Sequence, residues 1–181
     1  MLFRSVKLII DKLDSTKSTG LDEIGPNLLK EGVDYLSSPI ASIINNCIDK
    51  CIFPDKLKEA FVIPIFKSGN RDDPNNYRPI SILNTISKIF EKHIAIQLQE
   101  FLKHTNILHT TQSGFREKHF CQTALVYLLE NWNTCIDNND IVGSIFLDFK
   151  KAFDMVNHDI LLHKLKLYHF SEKALKLFAS Y

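Results

Sequence analysis

The sequence predicts an α+β fold, and three observations support this class. Apolar residues recur at helical spacing in several long stretches, a β-branched hairpin pattern lies between two of them, and a short apolar run ends in a carboxylate. The 181 residues can bury one core, or one and a half, and their 45% hydrophobic and 24% charged content is ordinary for a globular protein. We therefore expect a helix-rich domain with a small amount of sheet.

Charge and cysteine content narrow the function classes only slightly. The net charge of +1 gives no argument for nucleic acid, so any site for a polyanion must come from local clustering of cations. Cys47, Cys51, Cys121 and Cys135 form no CxxC pair, and no signal peptide or apolar 18-residue stretch is visible. We expect an intracellular protein, in the nucleus or cytoplasm, with free thiols and no membrane segment, and we expect Cys47 and Cys51 to be core residues rather than zinc ligands.

The first half of the chain begins with two helical patterns. Helical spacing covers Met1–Leu13 and Tyr35–Cys51, and each stretch has one apolar face. The segment Lys17–Lys30 between them starts with turn formers and reads as a loop followed by a short helix. Lys17 and Gly20 are therefore expected in a solvated loop.

A β-hairpin is predicted in the next stretch. Ala60–Lys67 and Tyr77–Leu83 are rich in β-branched and aromatic residues, and Ser68–Asn76 between them is dense in Gly, Asn, Asp and Pro. Pro64 and Pro79 each remove a backbone donor, which places both strands at a sheet edge.

The hairpin carries three cations that can form a projecting basic flap. They are Lys67, Arg71 and Arg78. Such a flap suits a triphosphate, since lysine supplies a point charge and arginine a bidentate fork. Composition alone favours the other interpretation, an ordinary solvated hairpin whose charges only aid solubility.

Two further helices are predicted before the apolar run. Asn84–His104 has an amphipathic pattern, with His93 and His104 expected on its polar face. A second helix runs roughly from Cys121 to Ile136, and Trp132 is expected on its apolar face with Leu128, Leu129 and Cys135.

The apolar run Ile141–Leu147 ends at Asp148 and is predicted to be a strand buried on both faces. A charge beside a core needs a partner, so a cation should meet this carboxylate. A divalent metal carrying a phosphate is one candidate, and a neighbouring lysine or a helix N-terminus is the other. Helices are then predicted at His158–Leu167 and from Glu172 onward, with Ser171 as a cap.

Three strings in this chain resemble those of one enzyme family. The residues from Asp148 to Asp154 resemble the first palm motif of reverse transcriptases, and FLDFKKAFDMVNH resembles the form used by non-LTR (LINE- or jockey-like) retrotransposons. IPIFKSGNRDDPNNYRPISIL is similar to the fingers hairpin of those enzymes, and QSGFR to their QxGFR string. The resemblance extends over nearly all of the chain.

The resemblance implies roles for five residues. Asp148 would hold catalytic magnesium, and Phe153 would lie under the sugar as a gate that favours deoxynucleotides. Lys67 and Arg78 would contact the incoming triphosphate. Arg116 would contact a phosphate, although pairing with a local acid at the start of a helix is an equally weighted alternative.

The resemblance also implies a right-hand polymerase fold, with residues 1–140 in the fingers and 141–181 at the start of the palm. The second carboxylate motif and the thumb are absent from this sequence. The complete protein would use two Mg²⁺ ions, an RNA template, a DNA primer and deoxynucleotide triphosphates, while this chain alone is expected to be inactive. The rival hypothesis is a non-catalytic nucleic-acid-binding remnant or interaction module.

Overall fold

A computed structural model of the protein describes residues 2–149 and 151–181 and shows helices with one two-stranded sheet. The mixed helix and sheet content agrees with the predicted α+β class. In chain order the elements are α1 (Leu2–Asp11), α2 (Pro26–Glu31), α3 (Val33–Lys50), α4 (Asp55–Lys58), β1 (Ala60–Phe66), β2 (Tyr77–Leu83), α5 (Thr85–His104), α6 (Cys121–Asp137), α7 (His158–Leu167) and α8 (Glu172–Ser180).

The chain folds as two compact units. One unit comprises Met1–Glu100 and Asp159–Tyr181, and the other comprises Phe101–His158. The predicted long helices and both hairpin strands are confirmed to within two residues at each end. No described helix combines the length and the apolar character that crossing a membrane requires.

The core of the first unit is made by four helices. Their apolar faces meet with the side chains of Leu29 and Phe53, and the expectation that Cys47 belongs to the core is confirmed. The four cysteines are free thiols, as expected. The buried apolar side chains from the helices are Val6, Ile9 and Ile10 of α1, Ile40, Ala41, Ile44 and Cys47 of α3, Ile89 and Phe90 of α5, and Leu177 of α8.

Aromatic contacts of Phe53 connect the C-terminal end of α8 to this core. The Phe53 ring lies parallel to Phe90, with centroids 4.8 Å apart, and meets Tyr181 edge-on, also at 4.8 Å. The Phe53 backbone N–H donates to Ser180 Oγ at 2.9 Å, so the loop and the end of α8 share a hydrogen bond. Phe53 and Phe90 are almost fully buried, which makes this stack part of the packed interior rather than a surface contact.

Gly20 is buried against the start of α5, so the prediction of a solvated loop is wrong at this position. A Cβ at Gly20 would lie 2.6 Å from the Asn84 backbone, and therefore only glycine fits this approach. Nearby, the buried Thr85 hydroxyl donates to Ile24 O at 2.7 Å. Lys17 does remain exposed, and it pairs with Asp14 at 3.7 Å.

His93 is buried, which corrects the prediction that it lies on the polar face of α5. Thr85, Ile89 and His93 follow one another at four-residue spacing and are all buried, so the imidazole falls on the stripe that faces the core. Its ring nitrogens lie 3.1 Å from Ser5 Oγ and 2.7 Å from Gln97 Nε2. A neutral ring with both nitrogens paired can be buried at low cost, and residue polarity alone did not reveal this.

Ile141–Leu147 is not a strand in this structure, and the prediction of a buried strand is wrong here. The segment has no regular secondary structure, and the exposed fractions of Ile145, Phe146 and Leu147 are 89%, 79% and 79%. A central strand needs hydrogen-bonded neighbours, and β1 and β2 pair only with each other among the described residues. The apolar composition of this segment is compatible with a strand, but a strand forms only where neighbouring strands are present to pair with it.

Helix α6 of the second unit has no buried residue. Its least exposed side is formed by Leu128, Trp132 and Cys135, which confirms their predicted shared face, whereas Leu129 is exposed. Thr111 and Ser113 of the preceding loop line an open cavity against that side, so the loop packs over the helix.

The buried state of His93 predicts a pH-dependent stability. Burial lowers the pKa of His93 below its usual 6.5, with an opposing contribution from Glu100. The unfolded state therefore binds more protons as the pH falls through about 6.5, and the free energy of unfolding decreases there. Urea unfolding between pH 7.5 and 5 should show a flatter pH dependence in His93→Gln than in the wild type. His104→Gln, at the exposed end of the same helix, should retain the wild-type dependence, and a slope that is equal in all three proteins would contradict the prediction.

The aromatic stack predicts a large effect of removing one ring. Phe90→Ala should reduce the free energy of unfolding by about 3–5 kcal/mol, because it removes a buried ring and leaves a cavity beside Phe53. Phe61→Ala, which truncates a half-exposed phenylalanine in β1, should cost less than about 1 kcal/mol. Both values can be read from urea denaturation followed by circular dichroism. Equal losses in the two variants would show that the stack is not central to the core.

Candidate nucleotide site

In the part of the chain that the structure describes, β1 and β2 form an antiparallel pair without a third strand, so both strands are edges, as the two prolines predicted. Pro64 lies opposite Pro79 in the register, and Phe66 lies opposite Tyr77. Proline has no backbone N–H, so neither residue of this pair can donate a hydrogen bond to a neighbouring strand. The Lys67 N–H donates to Asn76 O at 2.8 Å and continues the ladder beyond β1.

Lys67 and Arg78 lie on the same face of this hairpin. Arg78 is paired with Ile65, and side chains alternate along a strand, so Lys67 lies on the face of Ile65 and Arg78. Both cations are exposed, and neither forms an ion pair with any residue that the structure describes. Two exposed cations on the same face of a hairpin can bind a phosphate chain.

Arg71 lies on the face of the hairpin that carries Phe66, opposite the face of Lys67 and Arg78. Its guanidinium lies 5.2 Å from the centroid of the Phe66 ring, and Phe66 contacts Tyr77 edge-on at 5.5 Å. The Tyr77 hydroxyl donates to Arg71 O at 2.9 Å. Arg71 thus helps to shape the hairpin loop through an aromatic contact.

The hairpin loop is held by its own polar side chains. Asn76 Nδ2 donates to Asn70 O at 2.8 Å, and Asp73 Oδ1 accepts from the Asn75 N–H at 2.9 Å. Gly69 has φ of +95°, and a Cβ there would come within 2.7 Å of the Asn76 side chain. The loop therefore has a defined conformation that presents Lys67 at its start and Arg78 at its end.

Asp148 lies in the second unit and is exposed at the end of the irregular apolar segment. Carboxylate oxygens suit Mg²⁺, but a metal site needs several such ligands together. Among residues 2–149 and 151–181 there is no group of three or more His, Cys, Asp or Glu side chains that could hold a metal ion. Asp148 alone does not complete the expected magnesium site, and the neighbouring Lys150 lies outside the described residues.

Arg116 binds backbone carbonyls rather than an acid. Its Nη1 lies 3.1 Å from His109 O, 3.3 Å from Thr110 O and 3.3 Å from Gln112 O. No ion pair joins it to an acidic residue in the described part of the chain, so the alternative of a local acid partner is wrong. The prediction that Arg116 contacts a phosphate stays a prediction.

Phe153 meets a second exposed phenylalanine that the sequence analysis did not single out. The rings of Phe115 and Phe153 are perpendicular, at 87°, with centroids 6.1 Å apart. This contact brings the QSGFR string and the motif from Asp148 to Asp154 together within one unit. The signal that could have identified Phe115 was its position inside QSGFR, between the glycine and the arginine.

Sequence comparison places these residues in a known family. The family described as reverse transcriptase (RNA-dependent DNA polymerase) matches residues 65–181. The chain is 32% identical to the probable RNA-directed DNA polymerase from transposon BS of Drosophila melanogaster, over 87% of this chain and 17% of that protein. It is also 32% identical to the RNA-directed DNA polymerase from mobile element jockey of the same organism, over 89% of this chain and 18% of that protein.

The matched region contains all five residues that the resemblance singled out, from Lys67 to Phe153. The chain spans less than one fifth of the length of these two relatives. Because the family match covers more than half of the chain, and the relatives confirm the resemblance to non-LTR retrotransposon enzymes, this chain belongs to the reverse transcriptase (RNA-dependent DNA polymerase) family.

Proposed function

We propose that this chain forms the nucleotide-facing part of an RNA-directed DNA polymerase of a non-LTR retrotransposon. The observation that carries the proposal is the presence of two exposed cations, Lys67 and Arg78, on one face of a hairpin whose loop is held in a defined conformation; neither has an ion-pair partner among the described residues. In this proposal residues 1–140 form the fingers and residues 141–181 begin the palm. The protein acts inside the cell on an RNA template and a DNA primer.

Lys67 and Arg78 bind the triphosphate of the incoming nucleotide in this proposal. Lysine provides a compact charge at the start of the loop, and arginine provides two parallel donors across one phosphate. Their shared face lets both side chains approach the same phosphate chain. A protein whose net charge is only +1 gains its attraction for the polyanion from this local pair.

Phe153 excludes ribonucleotides in this proposal. A bulky ring below the sugar leaves no space for a 2′-hydroxyl, whereas a deoxyribose fits against it. The Phe153 ring is exposed and has an aromatic neighbour, so it is available to a ligand and has a contact that limits its rotation.

The divalent metal that this family uses needs several oxygen ligands close together. Asp148 is the carboxylate that would hold it, yet the described residues offer no second and third ligand beside Asp148. The contribution to synthesis that we propose for this chain itself is nucleotide and nucleic-acid binding.

The hairpin cations predict a specific loss of nucleotide binding. Lys67→Ala and Arg78→Ala should each weaken binding of dCTP about tenfold or more, because each removes a charged hydrogen-bond donor from the phosphates. Isothermal titration calorimetry on the purified chain measures the dissociation constants. The slope of affinity against salt concentration should also become shallower in both variants.

Lys50→Ala is the matched control for this experiment, since it removes an exposed lysine at the end of α3, away from the hairpin. It should bind dCTP like the wild type. If all three variants bind equally well, Lys67 and Arg78 do not form the triphosphate site. If the chain binds primer–template through these residues but does not bind dCTP, the non-catalytic nucleic-acid-binding alternative is the better account.

The incomplete set of acidic ligands predicts that the 181-residue chain does not extend a primer by itself. In-line phosphoryl transfer needs carboxylates from two places to hold two metal ions, and the described residues contain no group of three or more His, Cys, Asp or Glu side chains that could hold a metal ion. A primer-extension assay with an RNA template, a DNA primer, deoxynucleotides and magnesium tests this. Extended product that is lost in Asp148→Asn would reject the prediction.

A further inference from the structure

Phe115 and Phe153 form an exposed aromatic pair in the second unit. Their side chains retain 84% and 77% of their accessible surface, so neither ring is held by a surrounding core. Their perpendicular contact at 6.1 Å is in the range in which the edge of one ring favours the face of the other. The contact therefore gives each exposed ring one aromatic neighbour.

The backbone at Phe115 has a conformation that phenylalanine rarely adopts. Its φ is +58°, in the left-handed region that favours glycine, and Gly114 precedes it. A bulky residue remains in this region only when its surroundings hold it there, and such positions concentrate at functional sites. The direction in which Phe115 projects is thus set by the loop around it.

Arg116 is the residue that organises this loop. One nitrogen of its guanidinium contacts the carbonyls of His109, Thr110 and Gln112, and the Gln112 amide donates to Gly114 O at 3.1 Å. These bonds connect both sides of Phe115 to the same stretch of backbone. Lysine keeps the charge but cannot reproduce the planar, fixed donors of arginine.

We propose that Phe115 is a positioning residue for Phe153 and that Arg116 acts through Phe115. The inference rests on the proposed role of Phe153 at the sugar, and it adds two residues to the determinants of sugar selection. Phe115 fixes the ring of Phe153 by edge-to-face contact, and Arg116 fixes the strained backbone from which Phe115 projects. Discrimination against ribonucleotides then depends on two residues that need not touch the nucleotide.

The test is the preference of the purified chain for dCTP over CTP, which differ only by the 2′-hydroxyl. Phe115→Ala and Arg116→Lys should each reduce the ratio of the two dissociation constants about two- to tenfold, the range that one aromatic pair allows. The dependence of dCTP affinity on salt should not change in either variant, because no phosphate contact is removed. Phe115→Tyr keeps the ring and should restore the preference.

Phe120→Ala is the matched control, because it removes another exposed phenylalanine of the same unit and should leave the preference unchanged. Thermal melting of each variant verifies that it is folded.

If Phe153→Ala abolishes the preference while Phe115→Ala and Arg116→Lys retain it, this inference is overturned and the proposed role of Phe153 at the sugar is retained. If Phe153→Ala also retains it, the proposed role of Phe153 fails. If Arg116→Lys weakens dCTP and CTP equally and flattens the salt dependence, Arg116 is a phosphate ligand instead.

Discussion

The buried hydroxyl groups of Thr85 and Ser87 must each form a hydrogen bond, and these two bonds hold the first unit together around the start of α5. Both residues are fully buried at the start of α5, where a polar group must find a partner. Thr85 donates to Ile24 O and Ser87 to Leu57 O, each at 2.7 Å. The loop at Ile24 and helix α4, which are distant in sequence, are thereby fixed to the same helical turn, next to the residue where β2 ends.

This junction explains why the hairpin has a defined base. Strand β2 ends at Leu83 and α5 begins at Thr85, so the tethered turn and the return strand are almost continuous. The close approach of Gly20 to Asn84 completes the arrangement, since a larger residue would push the segment away from the helix. A hairpin that projects as an isolated pair of edge strands can present its cations reproducibly only if its base is held in this way.

The second unit is organised by different forces. It contains little buried surface, and helix α6 contributes no buried residue. Its defined features are the Arg116 bonds to three carbonyls and the ring contact between Phe115 and Phe153. Hydrogen bonds and single aromatic contacts are individually weak, so this unit has fewer cooperative contacts than the four-helix core.

Periodicity, turn residues and long motif strings are local properties of the chain, and they were sufficient to predict the helices, the hairpin and the family. The sequence also selected Lys67 and Arg78 from the three hairpin cations through resemblance, and their role stays a prediction, whereas Arg71 contacts the Phe66 ring. It could not determine that His93 and Gly20 are buried, that the run Ile141–Leu147 is unpaired, or that Phe115 meets Phe153. These features are visible only in the folded chain, because burial and strand pairing depend on which distant segment packs against a residue.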